Sequence, residues 1–149
     1  MPLPRRVPEN FRMHEIRRVS PRIETEALCW ELIDDRENSA LVVDLSSEGA
    51  RVERPYHGGR LLREVPLQLE VPALDEVMWA RGDVMFDTLV PSTSPMAGPF
   101  GLLRRTGYRI VMAAQRDLRL LKDYVFEMHR AIRERNAAED NEIWIRLNG

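Results

Sequence analysis

Short apolar segments separated by proline and glycine constrain this chain more than any other feature. The clearest one runs over 65–71, where Val65, Leu67, Leu69 and Val71 fall on one face and the intervening residues on the other. Such alternation, with turn residues between segments, is typical of strands joined by tight turns. Five or six short strands predict a small antiparallel barrel or sandwich. The further apolar segments lie at 25–33, 40–45, 50–53, 76–89 and 107–114.

Two stretches within this β region are less regular. The segment 76–89 is long and carries Gly82 and Asp83 at its middle, which predicts either one bent strand or a hairpin that turns there. Residues 90–106 contain three prolines and two glycines without periodicity. We expect this stretch to be a loop, and loops of such length inside a domain are usually functional or mobile.

In the last third of the chain the spacing of the apolar residues changes from that of a strand to that of a helix. Apolar residues at intervals of three and four predict a helix from about Arg116 to about Arg135. This stripe is more typical of a helix packed on the barrel than of a self-association seam. Residues 136–142 are predicted to be a polar linker, and the alternation over 143–148 predicts a short strand. The stripe consists of Leu118, Leu121, Val125, Met128 and Ile132.

Composition places the chain among single-domain globular proteins. It has 149 residues, of which 44% are hydrophobic and 31% charged, and no apolar run reaches the roughly 20 residues of a membrane span. Cys29 is the only cysteine and is predicted to be a core residue, which fits a reducing cytoplasm. Charge is uneven, because residues 1–22 hold six arginines against two glutamates, whereas the remainder holds 16 cations against 22 anions.

The sequence offers little for catalysis. His14, His57 and His129 fall in three different contexts, and there is no phosphate-binding glycine loop and no metal-ligand spacing. We therefore expect a protein that is not an enzyme and holds neither a metal nor a cofactor.

Two short motifs follow one another near the amino terminus. Arg18 to Arg22 reads RxxxR, and Asp44 to Gly49 reads DxSxxG. The first is uninformative alone, because about three such pairs arise by chance in a chain this rich in arginine. The second is informative, since chance predicts about 0.03 occurrences of this pattern in a chain of this composition, even with asparagine allowed at its first position.

With these two motifs in this order, the chain resembles the PilZ domain family over roughly residues 16–130. The resemblance implies a mainly β fold, a six-stranded antiparallel barrel followed by a C-terminal helix. It also implies that the ligand is cyclic di-GMP. By the same resemblance, Arg18 and Arg22 contact phosphate and guanine, and Asp44, Ser46 and Gly49 form the guanine-binding turn. Arg17, immediately before the motif, occupies a position that in this family influences how many ligands bind, and we hypothesise an intercalated ligand pair.

These residue types suit a dianion that carries two guanine edges. Arginine engages phosphate bidentately or reads guanine O6 and N7. Pro21 disfavours helical geometry at Ser20, so the arginine segment should be extended. Asp44 is an acceptor for guanine N–H groups, and Gly49 permits a close backbone turn. A serine-capped β-turn that binds nothing would have the same sequence over 44–49.

We predict a basic arm at 1–15, a PilZ-like domain at 16–135 and a linker with a short tail at 136–149. The function implied is a cytoplasmic receptor that changes conformation with its ligand and signals to an effector protein, in motility, exopolysaccharide or biofilm control. The alternative is an interaction module that binds no nucleotide and docks through the helix or the 90–106 loop. A nucleic-acid-binding barrel is disfavoured by the acidic body. Homodimerisation is left open.

Overall fold

A computed structural model describes residues 21–59, 63–72 and 74–148. Six antiparallel strands close into a barrel in the order β1-β2-β3-β6-β5-β4, and one helix follows, which confirms the predicted fold. The elements are β1 (Arg22–Ile33), β2 (Arg36–Ser46), β3 (Gly49–Pro55), β4 (Glu64–Leu69), β5 (Met78–Pro91), β6 (Leu102–Ala113) and α1 (Gln115–Asn148).

In β4 the apolar residues that alternate in the sequence point into the barrel. Val65, Leu67 and Leu69 are fully buried in β4, while the residues between them are exposed or half-buried. The tight turn between β1 and β2 places Asp34 and Asp35 at φ values of 53° and 59°. Aspartate tolerates this left-handed conformation better than most residues. The face of β4 that points into the barrel is therefore apolar, and the β1–β2 turn carries charge.

The segment around Gly82 is one bent strand rather than a hairpin. β5 runs unbroken through Gly82, with a register shift against β6 between Arg81 and Gly82. A side chain at position 82 would come within 2.9 Å of the Tyr108 ring, so glycine is what lets Tyr108 lie across the strand. The loop predicted at 90–106 is shorter than expected, because β5 extends to Pro91 and β6 begins at Leu102.

The predictions for the last residues of the chain were wrong. No linker interrupts 136–142 and no strand forms at 143–148, because α1 continues to Asn148. The segment 136–142 contains no glycine or proline, and Ala137, Ala138 and Glu139 favour a helix. Ile143 and Leu147 are four residues apart, so they share one helical face as well as fitting an alternating pattern. No helix in the described residues is long and apolar enough to span a bilayer.

A cluster of polar and charged side chains is centred on Glu31. Glu31 is fully buried, and its carboxylate accepts hydrogen bonds from the Arg54 guanidinium and the Tyr108 hydroxyl. Burial raises the pKa of Tyr108, and the Glu31 charge raises it further, so the phenol stays protonated as a donor. Cys29 is fully buried nearby, as predicted, and burial raises the pKa of its thiol. The Glu31 cluster satisfies its polar groups internally, as a buried ion pair must.

A second ion pair joins β5 to β6. The Arg104 guanidinium donates to both carboxylate oxygens of Asp87, from Nε at 2.9 Å and 3.0 Å and from Nη2 at 2.6 Å, and from Nη1 to the Gly59 carbonyl at 3.2 Å. Burial alone would raise the pKa of Asp87, but hydrogen bonding and charge attraction from Arg104, with a hydrogen bond from Thr106, hold it below its ordinary value. This pair stabilises the strand ends that flank the 92–101 loop.

Candidate ligand-binding site

Three strand ends meet at one end of the barrel. β1 begins at Arg22, β2 ends at Ser46, and β3 begins at Gly49. In the β1–β2 register Arg22 lies opposite Ser46, and in the β3–β6 register Gly49 lies opposite Arg109. The fold therefore brings Arg22 of the first motif beside the second motif, as the sequence predicts.

Asp44 lies between two arginines. Its Oδ2 is 3.3 Å from Nη2 of Arg51, which stands opposite Asp44 across the β2–β3 pair, and 3.9 Å from Nη1 of Arg22. Asp44 is 14% exposed, whereas the Arg22 side chain is 67% exposed. The carboxylate is thus fixed, while the Arg22 guanidinium extends into solvent and is free to move toward a ligand.

Two polar atoms at this cluster have no hydrogen-bond partner. Within the three described ranges, the buried side-chain nitrogen and oxygen atoms that lack a partner are Oδ1 of Asp44 and Nε of Arg51. Buried polar atoms are nearly always paired, and an orphan calls for an explanation such as a missing ligand. One acceptor and one donor are therefore unsatisfied on two residues that form an ion pair with each other.

Ser46 builds the turn between β2 and β3. Its hydroxyl oxygen accepts hydrogen bonds from the backbone N–H groups of Glu48, at 3.2 Å, and Gly49, at 3.1 Å. The hydroxyl itself donates to the Gly49 carbonyl at 3.3 Å. Ser46 is 5% exposed, so its role in the described residues is to shape the turn. This is the serine-capped turn that the sequence left open, and Asp44 stands directly before it.

Gly49 is required by a close approach between backbones. A Cβ atom at this position would lie 2.2 Å from the carbonyl oxygen of Tyr108 in β6. The Glu48 carbonyl just before it accepts a hydrogen bond from the Ile110 N–H at 2.8 Å, which ties the turn to β6. Gly49 therefore seats the turn against the barrel rather than adopting a positive φ.

The other predicted site residues lie outside the described residues. Arg17 and Arg18 precede Pro21, where the description of the chain begins. Pro21 lines a groove against α1. The remaining lining residues of that groove are Phe126, Glu127, His129, Arg130, Arg133, Glu134 and Ala137.

Sequence reasoning missed Arg51. It belongs to neither motif, and its relation to Asp44 depends on the β2–β3 register, which the sequence does not reveal. A weak signal was available, since an arginine two residues after Gly49 continues the outward face of a strand that follows the turn. The sequence likewise did not indicate that Arg130 and Arg133 of α1 lie at the groove lined by Pro21, which is next to Arg22.

The cysteine and histidines of the described residues lie apart from one another. Cys29 is enclosed in the core, His57 lies in the segment that follows β3, and His129 lies on α1. No cluster of three or more histidine, cysteine, aspartate or glutamate side chains in those residues could hold a metal ion.

No family model and no curated protein matches the sequence, but several solved structures match the fold. The PilZ domain of YcgR from Escherichia coli with c-di-GMP aligns with a TM-score of 0.58 and 18% identity, over 81% of this chain and 98% of that one. MotI/DgrA, an inhibitor of motility from Bacillus subtilis, aligns with a TM-score of 0.59 and 14% identity, over 76% of this chain and 52% of the MotI chain. The c-di-GMP complex of K. pneumonia MrkH aligns with a TM-score of 0.58 and 12% identity, over 79% of this chain and 55% of the MrkH chain.

These similarities define the fold. The chain has the barrel and C-terminal helix of a PilZ domain, and it spans nearly the whole of the isolated YcgR domain. It covers about half the length of the MotI and MrkH chains.

Proposed function

We propose that this protein is a receptor for cyclic di-GMP that binds the nucleotide at the end of the barrel formed by Arg22, Asp44 and the 46–49 turn. The observation that carries the proposal is the unsatisfied pair of atoms, Oδ1 of Asp44 and Nε of Arg51. A guanine edge presents both N–H donors and the O6 and N7 acceptors, so it matches this pair.

The charge of the site depends on the whole arginine motif. Arg22 and Arg51 balance Asp44 and Glu48, so the positive charge for a dianion would come from Arg17 and Arg18. Arg22 is exposed enough to swing from its 3.9 Å contact with Asp44 to a phosphate at little cost. The Oδ1 and Nε atoms are covered in the described structure, so entry of the guanine requires the Arg22 and Arg51 side chains to move apart.

The arginines that precede the barrel complete the proposal. Arg18 would provide a second phosphate or guanine contact, and Arg17 would stack on an additional guanine, giving two ligands per chain. Binding would order residues 16–22 against the barrel and so change the surface that a partner meets. Retention of Arg22 beside Asp44 in the fold supports this use of the whole arginine motif.

The biological role is proposed by analogy with the structural neighbours. One of them is an inhibitor of motility, and another is described as a c-di-GMP-dependent transcription regulatory factor. We infer that this chain is a binding and regulatory protein of the bacterial cytoplasm rather than an enzyme. It would signal through an effector protein in motility, exopolysaccharide or biofilm control.

A second candidate function is an interaction module that binds no nucleotide. Met96 and Phe100 in the 92–101 loop are 58% and 64% exposed, which favours a protein contact at this loop. Such a contact is compatible with ligand binding, because the loop joins β5 to β6 whereas the ligand site lies at the β2–β3 turn.

Thermal unfolding tests the proposal with matched variants. A ligand that binds the folded state raises the melting temperature as its concentration exceeds Kd. Cyclic di-GMP should stabilise the wild type and Arg36→Ala, an exposed arginine at the start of β2, and GTP should stabilise neither. Arg22→Ala should need about ten- to a hundredfold more ligand for the same shift, because it loses a charge-assisted contact. An equal shift in Arg22→Ala and Arg36→Ala would contradict the site.

A further inference from the structure

The helix α1 extends well beyond the barrel. Its buried residues, Leu121 and Val125, lie in its first third, and every residue from 130 to 148 is exposed. At about 1.5 Å per residue, this overhang is roughly 28 Å long. It carries large apolar side chains, with Ile143 55% exposed and Leu147 80% exposed. An exposed apolar face of this length indicates a partner.

Four exposed apolar residues of α1 continue the face that packs on the barrel, whereas Phe126, Trp144 and Ile145 lie on other sides of the helix. A helix turns by about 100° per residue, so the apolar positions of this face fall within one stripe roughly 100° wide. The barrel covers the beginning of the stripe and leaves the remainder open. The stripe comprises Leu121, Val125, Met128, Ile132, Ile143 and Leu147, with the polar residues Asn136 and Glu139 at its centre.

Charges flank the open part of the stripe in a regular order. Arg133 and Asp140 lie along one edge, and Arg135 and Glu142 lie along the other. On both edges the basic residue comes first and the acidic residue seven positions later. Within residues 130–148 the structure forms one ion pair, between the exposed side chains of Glu142 and Arg146 at 3.4 Å, which Glu142 would exchange for an arginine of the partner. Arg133, Arg135 and Asp140 form no ion pair within the described residues.

We propose that this helical overhang pairs with the same segment of a second copy of the chain in antiparallel orientation. With the twofold axis between Ala137 and Ala138, Ile132 lies against the partner's Ile143. By the same symmetry Met128 lies against the partner's Leu147. Each exposed apolar residue of the stripe thus meets another, as a seam between two helices requires.

The same register pairs the charges. Arg133 comes beside the partner's Asp140 on one edge, and Arg135 comes beside the partner's Glu142 on the other. The twofold axis repeats both contacts, so one dimer holds four complementary pairs. Each exposed pair is worth little, but four in register select one orientation and one partner.

The centre of the stripe fits this register as well. Asn136 faces the partner's Glu139, and the amide can donate a hydrogen bond to the carboxylate. A parallel dimer would instead set Glu139 against the partner's Glu139, two like charges in the seam. A single polar layer is a known means of fixing register and orientation in paired helices.

The register lies beyond the two residues that α1 buries against the barrel. The register uses residues 128–147, and the side chains that hold α1 to the barrel, Leu121 and Val125, precede that range. The interaction therefore adds a contact without removing one. The ligand site is made by β1, β2 and β3, and Arg133 is the one seam residue that also lines the groove at Pro21.

Complementary charge variants of the full chain test the pairing by sedimentation equilibrium. An acidic variant, R133E/R135E, and a basic variant, D140R/E142R, each place four like-charge pairs in a homodimer. Each should dimerise at least about tenfold more weakly than the wild type. Mixed together they restore four attractive pairs, so the mixture should form a heterodimer of wild-type affinity.

Control variants make the same charge changes outside the proposed seam. R116E/R119E and D123R/E127R alter exposed residues nearer the start of α1, and both should dimerise as the wild type does. Ile143→Asp removes an exposed apolar contact and should weaken the dimer at least about tenfold without affecting the barrel. A monomeric wild type, or a mixture that associates no better than its two components, would overturn the proposal.

Discussion

Asp44 and Arg51 stand directly opposite each other in β2 and β3, with Oδ2 and Nη2 3.3 Å apart. Two further atoms of this pair, Oδ1 of Asp44 and Nε of Arg51, are buried without hydrogen-bond partners. An ion pair that is half satisfied is costly to keep in a stable barrel. The cost is understandable if a ligand with both donors and acceptors completes the hydrogen bonding, and this relationship makes Arg51 as important to the site as the motif residues.

Replacement of Arg51 should therefore weaken nucleotide binding. Arg51→Ala removes a charge-assisted contact and should raise the Kd for cyclic di-GMP about tenfold or more. Arg51→Lys keeps the charge but lacks the Nε donor, so it should bind nearly as poorly, because lysine does not reproduce the planar fork of arginine. Arg81→Ala, an exposed arginine on β5, is the matched control and should bind normally. Full affinity in Arg51→Ala would remove this residue from the site.

Gly49 should prove to be a stability residue as well as a site residue. Gly49→Ala places a methyl group 2.2 Å from the Tyr108 carbonyl oxygen, so β3 and β6 must separate. Overpacking of this kind costs about 1 to 3 kcal/mol of unfolding free energy. Denaturant unfolding measures the loss, and Glu48→Ala in the same turn should leave stability almost unchanged. A Gly49→Ala variant of wild-type stability would show that the strands separate freely.

The buried carboxylate of Glu31 should carry much of the barrel's electrostatic stability. Glu31→Ala strands the Arg54 guanidinium, which is only 11% exposed, and deprives the Tyr108 hydroxyl of its acceptor. Breaking a buried pair in this way costs about 3 to 5 kcal/mol. Glu37→Ala, on the exposed turn side of β2, should cost little by the same denaturant measurement. Equal losses of unfolding free energy in the two variants would contradict the stabilising role given to the Glu31 cluster.

Acid should unfold the protein partly through Asp87. Its pKa is lower in the folded chain than the ordinary value of 3.8, so the ionised carboxylate stabilises the fold above that value. The contribution is lost as pH falls from about 4 through the folded pKa. Asp87→Asn should lower stability at neutral pH and flatten the acid limb of a stability-against-pH curve, whereas exposed Asp75→Asn should not. An unchanged acid limb in Asp87→Asn would contradict the role given to the Arg104 pair.

The sequence was sufficient for the barrel but not for its internal polar contacts. Alternation over 65–71 identified the core face of β4 correctly, since strand periodicity is a local property. The contacts of Glu31 with Arg54 and Tyr108 join residues far apart along the chain, and no local pattern encodes them. The Asp44–Arg51 pair escaped for the same reason, because the β2–β3 register is set by the turn and the core together.

The end of the chain shows how a short pattern can mislead. Ile143, Ile145 and Leu147 alternate as a strand would, yet Ile143 and Leu147 are also spaced for one helical face. Six residues are too few to separate the two periods. Continuity with the helix that begins at Gln115 decides the conformation, because extending a helix is far easier than starting a new element.

Calorimetric titration of the wild-type protein with cyclic di-GMP tests the central claim most directly. We predict saturable heat with cyclic di-GMP and none with GTP at the same concentrations. A stoichiometry near two ligands per chain would agree with the role proposed for Arg17, and one ligand per chain would contradict that role while leaving the receptor function intact. Absence of heat at every ligand concentration, with the protein folded, would contradict the receptor function itself.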